Sequence, residues 1–407
     1  MTGVGEQSAR PAPQAGQTTA FPEQPLPLWR RAVLKIGSSL LTGEDGRLSD
    51  HFASALARLV VASRDQGREV VIVSSGAVAA GRGLLQGGEG GLIQRQALAA
   101  LGQAPMIGLW QRLLPMPVAQ VLLSHDDLRN RRRYLNARAT LRELLRLRAL
   151  PVINENDTVA VDELKLGDND NLAAVVAALV DADLLLIATD VAGLYSGHPE
   201  RDPSARPVPT VAAVTPEIMA LAAPEAGRLG TGGMRTKLEA ASKAAAAGIA
   251  TALFSGRDPV TVAALEQGRL RGTLIPVHGD RLLARKLWLR HAPAGTGIVR
   301  VDAGAETAMR LRGASLLPGG IVSVQGEFSR GDLVDVLSME GADGRATVLA
   351  RGLVQYGAAD LRRIVGRHSS EIESVLGFRY GEAVIHRDDL VLLGQASAAP
   401  IAGEDGR

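Results

Sequence analysis

Five short segments of the sequence combine residue types that bind phosphate, ammonium or carboxylate groups. Glycine turns expose backbone N–H groups and lysine adds a mobile positive charge, and both bind phosphate. Carboxylates and carboxamides bind an ammonium group, hold Mg²⁺ or orient a lysine. The sequence therefore indicates a site for a phosphorylated ligand and a charged small molecule. The segments are residues 35–39 (KIGSS), 74–77 (SSGA), 154–157 (NEND), 165–171 (KLGDNDN) and 230–237 (GTGGMRTK).

Lysine is rare in this chain, because only five of its 45 basic residues are lysine and the rest are arginine. Lys35, Lys165 and Lys237 stand in glycine-containing turns. Since arginine serves elsewhere as the general solvated cation, these lysines indicate positions that need a compact, mobile charge. The alternative is the chance survival of a few surface lysines.

Each segment also has an ordinary structural interpretation. Residues 35–39 fit a plain strand–loop turn, and residues 154–157 fit a helix or turn cap, which Asn and Asp favour. One residue of 165–171 must cap the helix that follows. Residues 230–237 lead into a helix N-terminus, which attracts anions, or form a tight turn without a ligand. They are not a Walker A loop, since Gly-Lys occurs nowhere in the chain.

Two other motifs are set aside. Residues 74–77 lack the Gly-x-Ser-x-Gly pattern of a nucleophilic serine. His386-Arg387-Asp388 is similar to a protein-kinase catalytic loop, but the downstream Asn and the Asp-Phe-Gly triplet are missing. We therefore assign this triplet a structural role.

Strand and helix patterns alternate through most of the chain. Because the strands are continuously apolar, they predict a parallel sheet covered on both faces. The five polar segments follow strands or precede helices, and ligands bind at the carboxyl ends of such strands. The predicted strands are residues 31–36, 70–73, 119–123, 151–153, 184–188 and 250–254, and the predicted helices are residues 51–65, 94–114, 134–148, 171–180 and 236–247.

The pattern changes near residue 290. Residues 292–295 (APAG) are typical of a linker, and the short alternating segments beyond them predict a small, mostly-β domain. Residues 1–29 are rich in Pro, Gln, Gly, Ala and Thr, which predicts a disordered extension. The expected domains are therefore residues 30–290 and 296–400.

Composition excludes several classes of protein. There is no cysteine, which removes disulfides, thiolate catalysis and cysteine-bound metals. No uncharged apolar stretch reaches 18 residues, so we expect no membrane span and a cytoplasmic location. The formal net charge is +2, and residues 296–400 carry eleven basic against thirteen acidic residues, so a nucleic-acid partner is not expected.

The ordered set of motifs resembles the amino-acid kinase family, and within it the members that act on free L-glutamate. The tail is similar to a PUA domain. The family implies a three-layer αβα fold with a mainly parallel sheet, followed by the small, mostly-β domain. The motifs are VLKIGSSLLT, VIVSSGAVAAGR, LNARATL, PVINENDTVA, KLGDNDNLAA, ATDVAGLY and GTGGMRTKLEAA, and in the tail GASLLPGGI, FSRGD, EIESVLG and VIHRDDLV.

The resemblance implies that ATP, with Mg²⁺, phosphorylates the side-chain carboxylate of L-glutamate to L-glutamyl 5-phosphate, the first step of proline biosynthesis. Lys35 and Lys237 would contact the transferring phosphoryl group, and Asp170 would orient both lysines. No metal-binding residue is assigned. The implied ATP site is Lys35, Thr189, Asp190, Thr231, Gly232, Gly233, Met234, Arg235, Thr236 and Lys237. The implied glutamate site is Ser75, Asp157 and Asn169, with Lys165 and Asp168 as accessory residues.

The family also implies a homodimer or homotetramer and feedback inhibition by proline. The chain departs from the family at His198-Pro199, where Asp-Pro is usual, so the details of that loop stay open. The alternatives are another amino-acid kinase, such as an acetylglutamate kinase or an aspartokinase, and an RNA-binding PUA protein. An acylated amine would offer Asp157 no charge to pair with.

Overall fold

The protein contains two β-sheets, seen in a computed structural model that describes residues 20–85, 91–160, 169–199, 201–222, 233–277, 297–339 and 347–393. The first sheet has eight strands in the order β1-β8-β7-β6-β2-β3-β5-β4. Its pairings from β4 to β7 are parallel, whereas β8 and β1 are added antiparallel. The strands are β1 (Glu23–Pro25), β2 (Arg31–Ile36), β3 (Glu69–Ser74), β4 (Val118–Leu123), β5 (Leu150–Glu155), β6 (Leu184–Thr189), β7 (Ala250–Ser255) and β8 (Arg269–Ile275).

Helices cover both faces of this sheet, as the continuous apolar strands predict. One core packs α1, α3 and α9 on one face, and a second core packs α5, α6 and α8 on the other. The three-layer αβα prediction is therefore confirmed. The helices are α1 (Ala53–Asp65), α2 (Ala77–Arg82), α3 (Leu92–Leu113), α4 (His125–Arg129), α5 (Arg131–Arg146), α6 (Asn169–Leu179), α7 (Pro216–Leu221), α8 (Met234–Ala246) and α9 (Pro259–Glu266).

Element boundaries follow the sequence pattern closely. The predicted strand at residues 31–36 coincides with β2. The predicted helix at residues 171–180 begins two residues earlier, at Asn169, because that polar segment itself supplies the first turn of α6. This shift places Asn169 and Asp170 on a rigid helix rather than in a loop.

The prediction of disorder for residues 1–29 is wrong for residues 20–29, and residues 1–19 lie outside the described part. Glu23–Pro25 pairs with β8 at the sheet edge. Phe21, Leu26 and Trp29 are buried. An edge strand tolerates the proline of this segment, because one side of the strand forms no ladder hydrogen bonds. Residues 21–29 therefore pack against the first sheet.

The second sheet has the order β10-β9-β11-β12-β13, and every pairing but β9–β11 is antiparallel. It packs three further helices around its own apolar core. The prediction of a small β-rich domain is confirmed, with helices added. The elements are β9 (Gly297–Val301), α10 (Ala303–Arg312), β10 (Ile321–Gly326), β11 (Leu333–Leu337), β12 (Val348–Leu353), α11 (Ala358–Ile364), α12 (Ile372–Leu376) and β13 (Leu390–Leu392).

The two domains meet through buried and half-buried charges, which we call the junction cluster: Arg138 and Arg142 of α5, Asp181, and Asp389 of the tail. Arg138 lies 2.9 Å from the Asp181 carboxylate and 3.4 Å from that of Asp389. Arg142 also contacts Asp181. Asp389 is fully buried.

Within the described residues, no helix is both long and apolar enough to cross a bilayer.

Candidate active site

The described residues of the polar segments converge at the carboxyl ends of β2, β3, β5 and β6. Lys35 is the penultimate residue of β2 and lies beside Val73 of β3 and Ile187 of β6 in the sheet register. Asn154 and Glu155 end β5. In open α/β sheets this edge is where ligands bind.

Two lysines share one carboxylate at this edge, and we call them the lysine cluster. The Nζ atom of Lys35 lies 2.6 Å from Oδ1 of Asp170, and that of Lys237 lies 3.4 Å from Oδ2. Lys35 and Lys237 are each 5% exposed and Asp170 is 1% exposed. Because two ammonium groups face one carboxylate, the cluster carries an excess of positive charge.

Local structure explains how the cluster is held. Asp170 lies in the first turn of α6, and Lys237 lies in the first turn of α8. The Thr236 hydroxyl donates a 2.7 Å hydrogen bond to Oδ2 of Asp170. The carboxylate is thereby fixed between two helix N-termini, where helix dipoles favour anions.

The charges of the cluster set its protonation. Burial alone would raise the pKa of Asp170, but the Lys35 and Lys237 ammonium groups outweigh it and hold that pKa at about 2. Burial lowers the pKa of Lys237, and Lys35 adds to this lowering, while Asp170 opposes it. Asp170 is therefore ionised at neutral pH and cannot act as a proton donor.

A second group of side chains connects β3, β5 and α6. The Nδ2 atom of Asn169 donates to Ser75 Oγ at 2.8 Å and to Asn154 Oδ1 at 3.0 Å. Oδ1 of Asn169 is buried and has no hydrogen-bond partner in the described part of the chain. Since an unsatisfied buried acceptor is costly, this oxygen is suited to accept from a bound ligand.

Asp157 is a buried carboxylate beyond β5. Burial and the neighbouring Glu155 raise the pKa of Asp157 to about 6, and Arg95 of α3 opposes this increase. A carboxylate with such a pKa gains stability from any added positive charge. It is therefore suited to bind a ligand ammonium group.

Trp110 of α3 and the adjacent Gly76 both support the Ser74-Ser75 turn. The indole Nε1 of Trp110 donates a 3.1 Å hydrogen bond to Ser74 Oγ. Gly76 has a φ of +100°, and a Cβ there would lie 3.2 Å from Leu41. A side chain would strain this turn, so the residue type at 76 is dictated by the backbone.

The remaining predicted ligand-binding residues follow β6 or precede α8. The Thr189 hydroxyl donates to Asp190 Oδ1 at 3.1 Å. Asp190 is close enough to Lys237 to favour the charged form of that lysine. Gly233 precedes α8 with open space at its Cα, and Met234 begins the helix. The exposed Arg235 pairs with Glu239 at 3.2 Å.

The geometry brings together most of the residues that the sequence singled out. Ser75 contacts Asn169, and Thr236 holds Asp170. Thr231, Gly232, Lys165 and Asp168 lie outside the described residues. Sequence reasoning missed four side chains, which are Asn154, Glu155, Arg95 and Trp110.

The four missed residues differ in how strongly the sequence indicates that they belong to the site. Asn154 and Glu155 belong to the segment 154–157, where only Asp157 was assigned a role. Arg95 and Trp110 lie on α3, and nothing in their local sequence indicates contact with the strand ends. Their positions follow from how α3 packs on the sheet.

Comparison with known proteins agrees with this architecture. The model of the amino acid kinase family matches residues 30–255, and the model of the PUA domain matches residues 297–376. A glutamate 5-kinase of Xylella fastidiosa strain M12 is 61% identical over 376 residues, which are 92% of this chain and 98% of that protein. A glutamate 5-kinase of Xanthomonas oryzae pv. oryzae is 62% identical over 364 residues, 89% of this chain and all of that protein.

Among solved structures, carbamate kinase from Giardia lamblia bound to AMP-PNP is 17% identical, with a TM-score of 0.44. The match covers 61% of this chain and 99% of that one. At this score the likeness carries no inference about the site. The family models and the two bacterial relatives are sufficient by themselves: the chain belongs to the amino acid kinase family and, within it, to the glutamate 5-kinases, with a PUA domain after the kinase domain.

Proposed function

We propose that the chain transfers the γ-phosphoryl group of ATP to the side-chain carboxylate of L-glutamate, giving L-glutamyl 5-phosphate for proline biosynthesis. The observation that carries this proposal is the convergence of Lys35 and Lys237 on Asp170 at the carboxyl edge of the sheet. Buried positive charge in excess of its counter-charge is what a transferring phosphoryl group requires.

The proposed role of the two lysines is electrostatic. The acceptor carboxylate is already ionised at neutral pH, so no general base is needed. The obstacle is the approach of one anion to another. Lys35 and Lys237 offset that repulsion and bind the charge that spreads over the phosphoryl oxygens in the transition state. Asp170 keeps the two ammonium groups in place, because each contacts a different oxygen of its carboxylate.

The proposed glutamate site lies around Asp157, Asn169 and Ser75. Asp157 would pair with the substrate ammonium group, whose positive charge would bring the pKa of this carboxyl down from about 6. The free Oδ1 of Asn169 would accept a second hydrogen bond from the substrate. This arrangement favours a free amino acid over an acylated one, which has no ammonium group.

The proposed ATP site comprises the described residues Lys35, Thr189, Asp190, Gly233, Met234, Arg235, Thr236 and Lys237, and includes Thr231 and Gly232. The N–H groups at the start of α8 would face the phosphates. Among the described residues, no three His, Cys, Asp or Glu side chains are placed to hold a metal ion. Mg²⁺ in nucleotide sites is held mainly by phosphates with one or two carboxylates, and the exposed Asp190 fits that role. Bound Mg²⁺ would neutralise part of the triphosphate charge.

Several wider features belong to the same proposal. We place the kinase domain at residues 30–290, with residues 21–29 packed on its sheet, and the PUA-like domain at residues 296–400. A cytoplasmic location, assembly as a homodimer or homotetramer and feedback inhibition by proline are proposed from the resemblance alone. The inhibitor would overlap the glutamate site, since proline is also a small amino acid with a charged amine and a carboxylate.

ATP turnover by the purified protein tests this proposal. ADP release is measured with L-glutamate, N-acetylglutamate or L-aspartate as acceptor, with Mg²⁺ and with or without proline. We expect turnover that requires glutamate and falls when proline is added. Turnover with N-acetylglutamate but not with glutamate would contradict the role of Asp157 and favour a different amino-acid kinase.

A further inference from the structure

The N-terminal strand β1 lies against a loop that begins directly after the proposed nucleotide residues Thr189 and Asp190. This loop, residues 191–199 and 201–211 of the described chain, is called here the β6 loop. It leaves the end of β6, folds back on itself and returns along β8. Val208 N donates to Leu194 O at 2.8 Å, and Ser196 N donates to Arg206 O at 2.9 Å. Backbone hydrogen bonds therefore join the two arms of the loop.

Phe21 packs against the outgoing arm. Its ring lies edge-on to Tyr195 with the ring centroids 5.1 Å apart. A Cβ on Gly193 would lie 2.7 Å from the Phe21 ring and 2.8 Å from Thr273 Oγ1. The ring and β8 thus occupy the space that a side chain at residue 193 would need, and the backbone of this arm is enclosed.

Gln24 connects the returning arm to β8. Its Nε2 group donates to Pro209 O at 2.8 Å and to Gly272 O at 3.0 Å. Its Oε1 atom accepts from Thr210 Oγ1 at 3.1 Å. One side chain therefore makes three hydrogen bonds that join β1, the loop and β8.

The other contacts of the segment fix β1 itself. Leu26 is buried, and its N–H donates to Gly268 O at 2.9 Å. Glu23 pairs with Arg269 and Arg271 at the surface. Exposed ion pairs of this kind contribute little. The contacts that reach the β6 loop are the apolar contact of Phe21 and the amide contacts of Gln24.

We propose that the N-terminal segment of residues 21–28, which contains β1, is a positioning element for the nucleotide: Phe21 and Gln24 help Thr273 of β8 to hold the two arms of the β6 loop against β8, and this keeps Thr189 and Asp190 in the geometry that ATP binding requires. The inference rests on the proposed function, because it assumes that ATP binds at the end of β6. Phe21 and Gln24 act through the loop and do not touch substrate.

The test compares Phe21→Ala and Gln24→Ala with Leu28→Ala, a control in the same segment whose side chain is 96% exposed. For each protein we measure the KM values for ATP and glutamate, kcat, the dissociation constant of ATP without glutamate, and the melting temperature. We expect the ATP constants to rise about fivefold or more in the first two variants, the scale of one lost apolar contact or hydrogen bond. The glutamate KM should stay within about twofold, and Leu28→Ala should match the wild type, as surface changes do.

Further outcomes separate positioning from simple stabilisation. Phe21→Leu keeps an apolar side chain behind Gly193 and should restore most of the ATP affinity. A Phe21→Ala protein that melts earlier but binds ATP as the wild type does would overturn the inference. If Phe21→Ala does not fold, Gln24→Ala decides by the same criterion. A wild-type protein without glutamate-dependent ATP turnover would overturn the proposed function and the inference together, whereas an active wild type with unchanged ATP constants in the variants would overturn the inference alone.

Discussion

The buried charges of the candidate active site and those of the domain junction differ in kind and in balance. In the lysine cluster, Lys35 and Lys237 face the single carboxylate of Asp170. In the junction cluster, Arg138 and Arg142 face two carboxylates, Asp181 and Asp389. Burial of charge is expensive unless each charge is paired. In the junction two cations face two carboxylates, whereas in the lysine cluster two cations share the buried Asp170, with the exposed Asp190 nearby.

The choice of cation fits this difference. Arginine presents a rigid planar fork that can satisfy two carboxylates at once, whereas lysine is a mobile point charge. Arg138 uses its two terminal nitrogens on two different aspartates. Its pKa is raised, because the attraction of Asp389 and Asp181 outweighs the effect of burial. The junction is thus a structural contact in which each cation faces a carboxylate of the chain.

The active site is unbalanced in both directions. Its lysine cluster carries excess positive charge, and Asp157 is a buried carboxylate whose pKa is raised to about 6 by burial and by Glu155. Such a site is complementary to ligands that are negative at one end and positive at the other. Phosphates would bind at the lysine cluster, and the ammonium group of a free amino acid would bind at Asp157. In this protein, a buried cluster with an excess of one charge therefore indicates a ligand site, and a buried cluster with equal numbers of opposite charges indicates a structural contact between domains.

The largest expected effect is on stability at the junction. Arg138→Ala removes the guanidinium that lies between Asp181 and the fully buried Asp389, which should cost about 3–5 kcal/mol of unfolding free energy. Well below the melting temperature, kcat and both KM values should stay within about threefold, because no proposed substrate contact is lost. Chemical denaturation and steady-state kinetics measure the two effects.

The matched control is Arg133→Ala on the same helix. The Arg133 side chain is 63% exposed and lies 3.0 Å from Asp127. Its loss should change stability by at most about 1 kcal/mol. If Arg138→Ala were as stable as this control, or lost turnover while staying folded, the junction would not be the structural joint described above.

Lys35→Ala and Lys237→Ala should show the opposite pattern. Each change would remove one proposed contact to the transferring phosphoryl group and should lower kcat about 10²–10³-fold, with little change in the glutamate KM. Stability should fall little, because Asp170 keeps the other lysine and the Thr236 hydroxyl as partners. Lys243→Ala, an exposed lysine on the same helix as Lys237, is the control and should keep most of its turnover. Near-normal kcat in both cluster variants would remove these lysines from the phosphoryl site.

Asp157→Asn tests the other end of the site. Replacing the carboxylate removes a charged hydrogen bond to the ammonium group, which is worth about 1.5–3 kcal/mol. The glutamate KM should therefore rise by at least about tenfold, with a smaller change in kcat, because that contact is present in both ground and transition states. The ATP KM serves as the internal control. A fall in kcat at unchanged glutamate KM would place Asp157 in the chemical step.

The sequence predicts the lysine cluster better than its surroundings. Lys35 and Lys237 are visible because each stands in a glycine-containing turn next to a strand or helix boundary, and parallel strands bring such turns to one edge. The contact between Trp110 and Ser74 was not predictable, since it depends on how α3 packs on the sheet. Arg138 was equally hidden, because nothing in its own helix indicates that Asp389 of the tail would reach it.

The N-terminal segment shows a different kind of failure. Its prolines and polar residues are typical of disorder. Phe21, Leu26 and Trp29 nevertheless supply enough apolar surface to fix a three-residue edge strand against β8. The prediction of disorder rested on the overall composition and gave no weight to three widely spaced apolar residues. In the fold, burial of those three residues holds the segment against the sheet.

The smallest and most specific effect is the pH dependence of glutamate use. With a pKa of about 6, Asp157 loses its charge as the pH falls through 6. Because the ammonium group binds the ionised form, kcat/KM for glutamate should fall about tenfold per pH unit below that value. The side-chain carboxylate of glutamate itself stays ionised down to about pH 4.3, so it does not cause this slope. In Asp157→Asn, kcat/KM for glutamate should be low and nearly independent of pH between about pH 5 and 7, because the variant lacks the group that titrates in this range. The same slope in the variant would assign the titration to another group. Asp157 could then no longer be contrasted, as a carboxylate that awaits a ligand, with the paired aspartates of the junction.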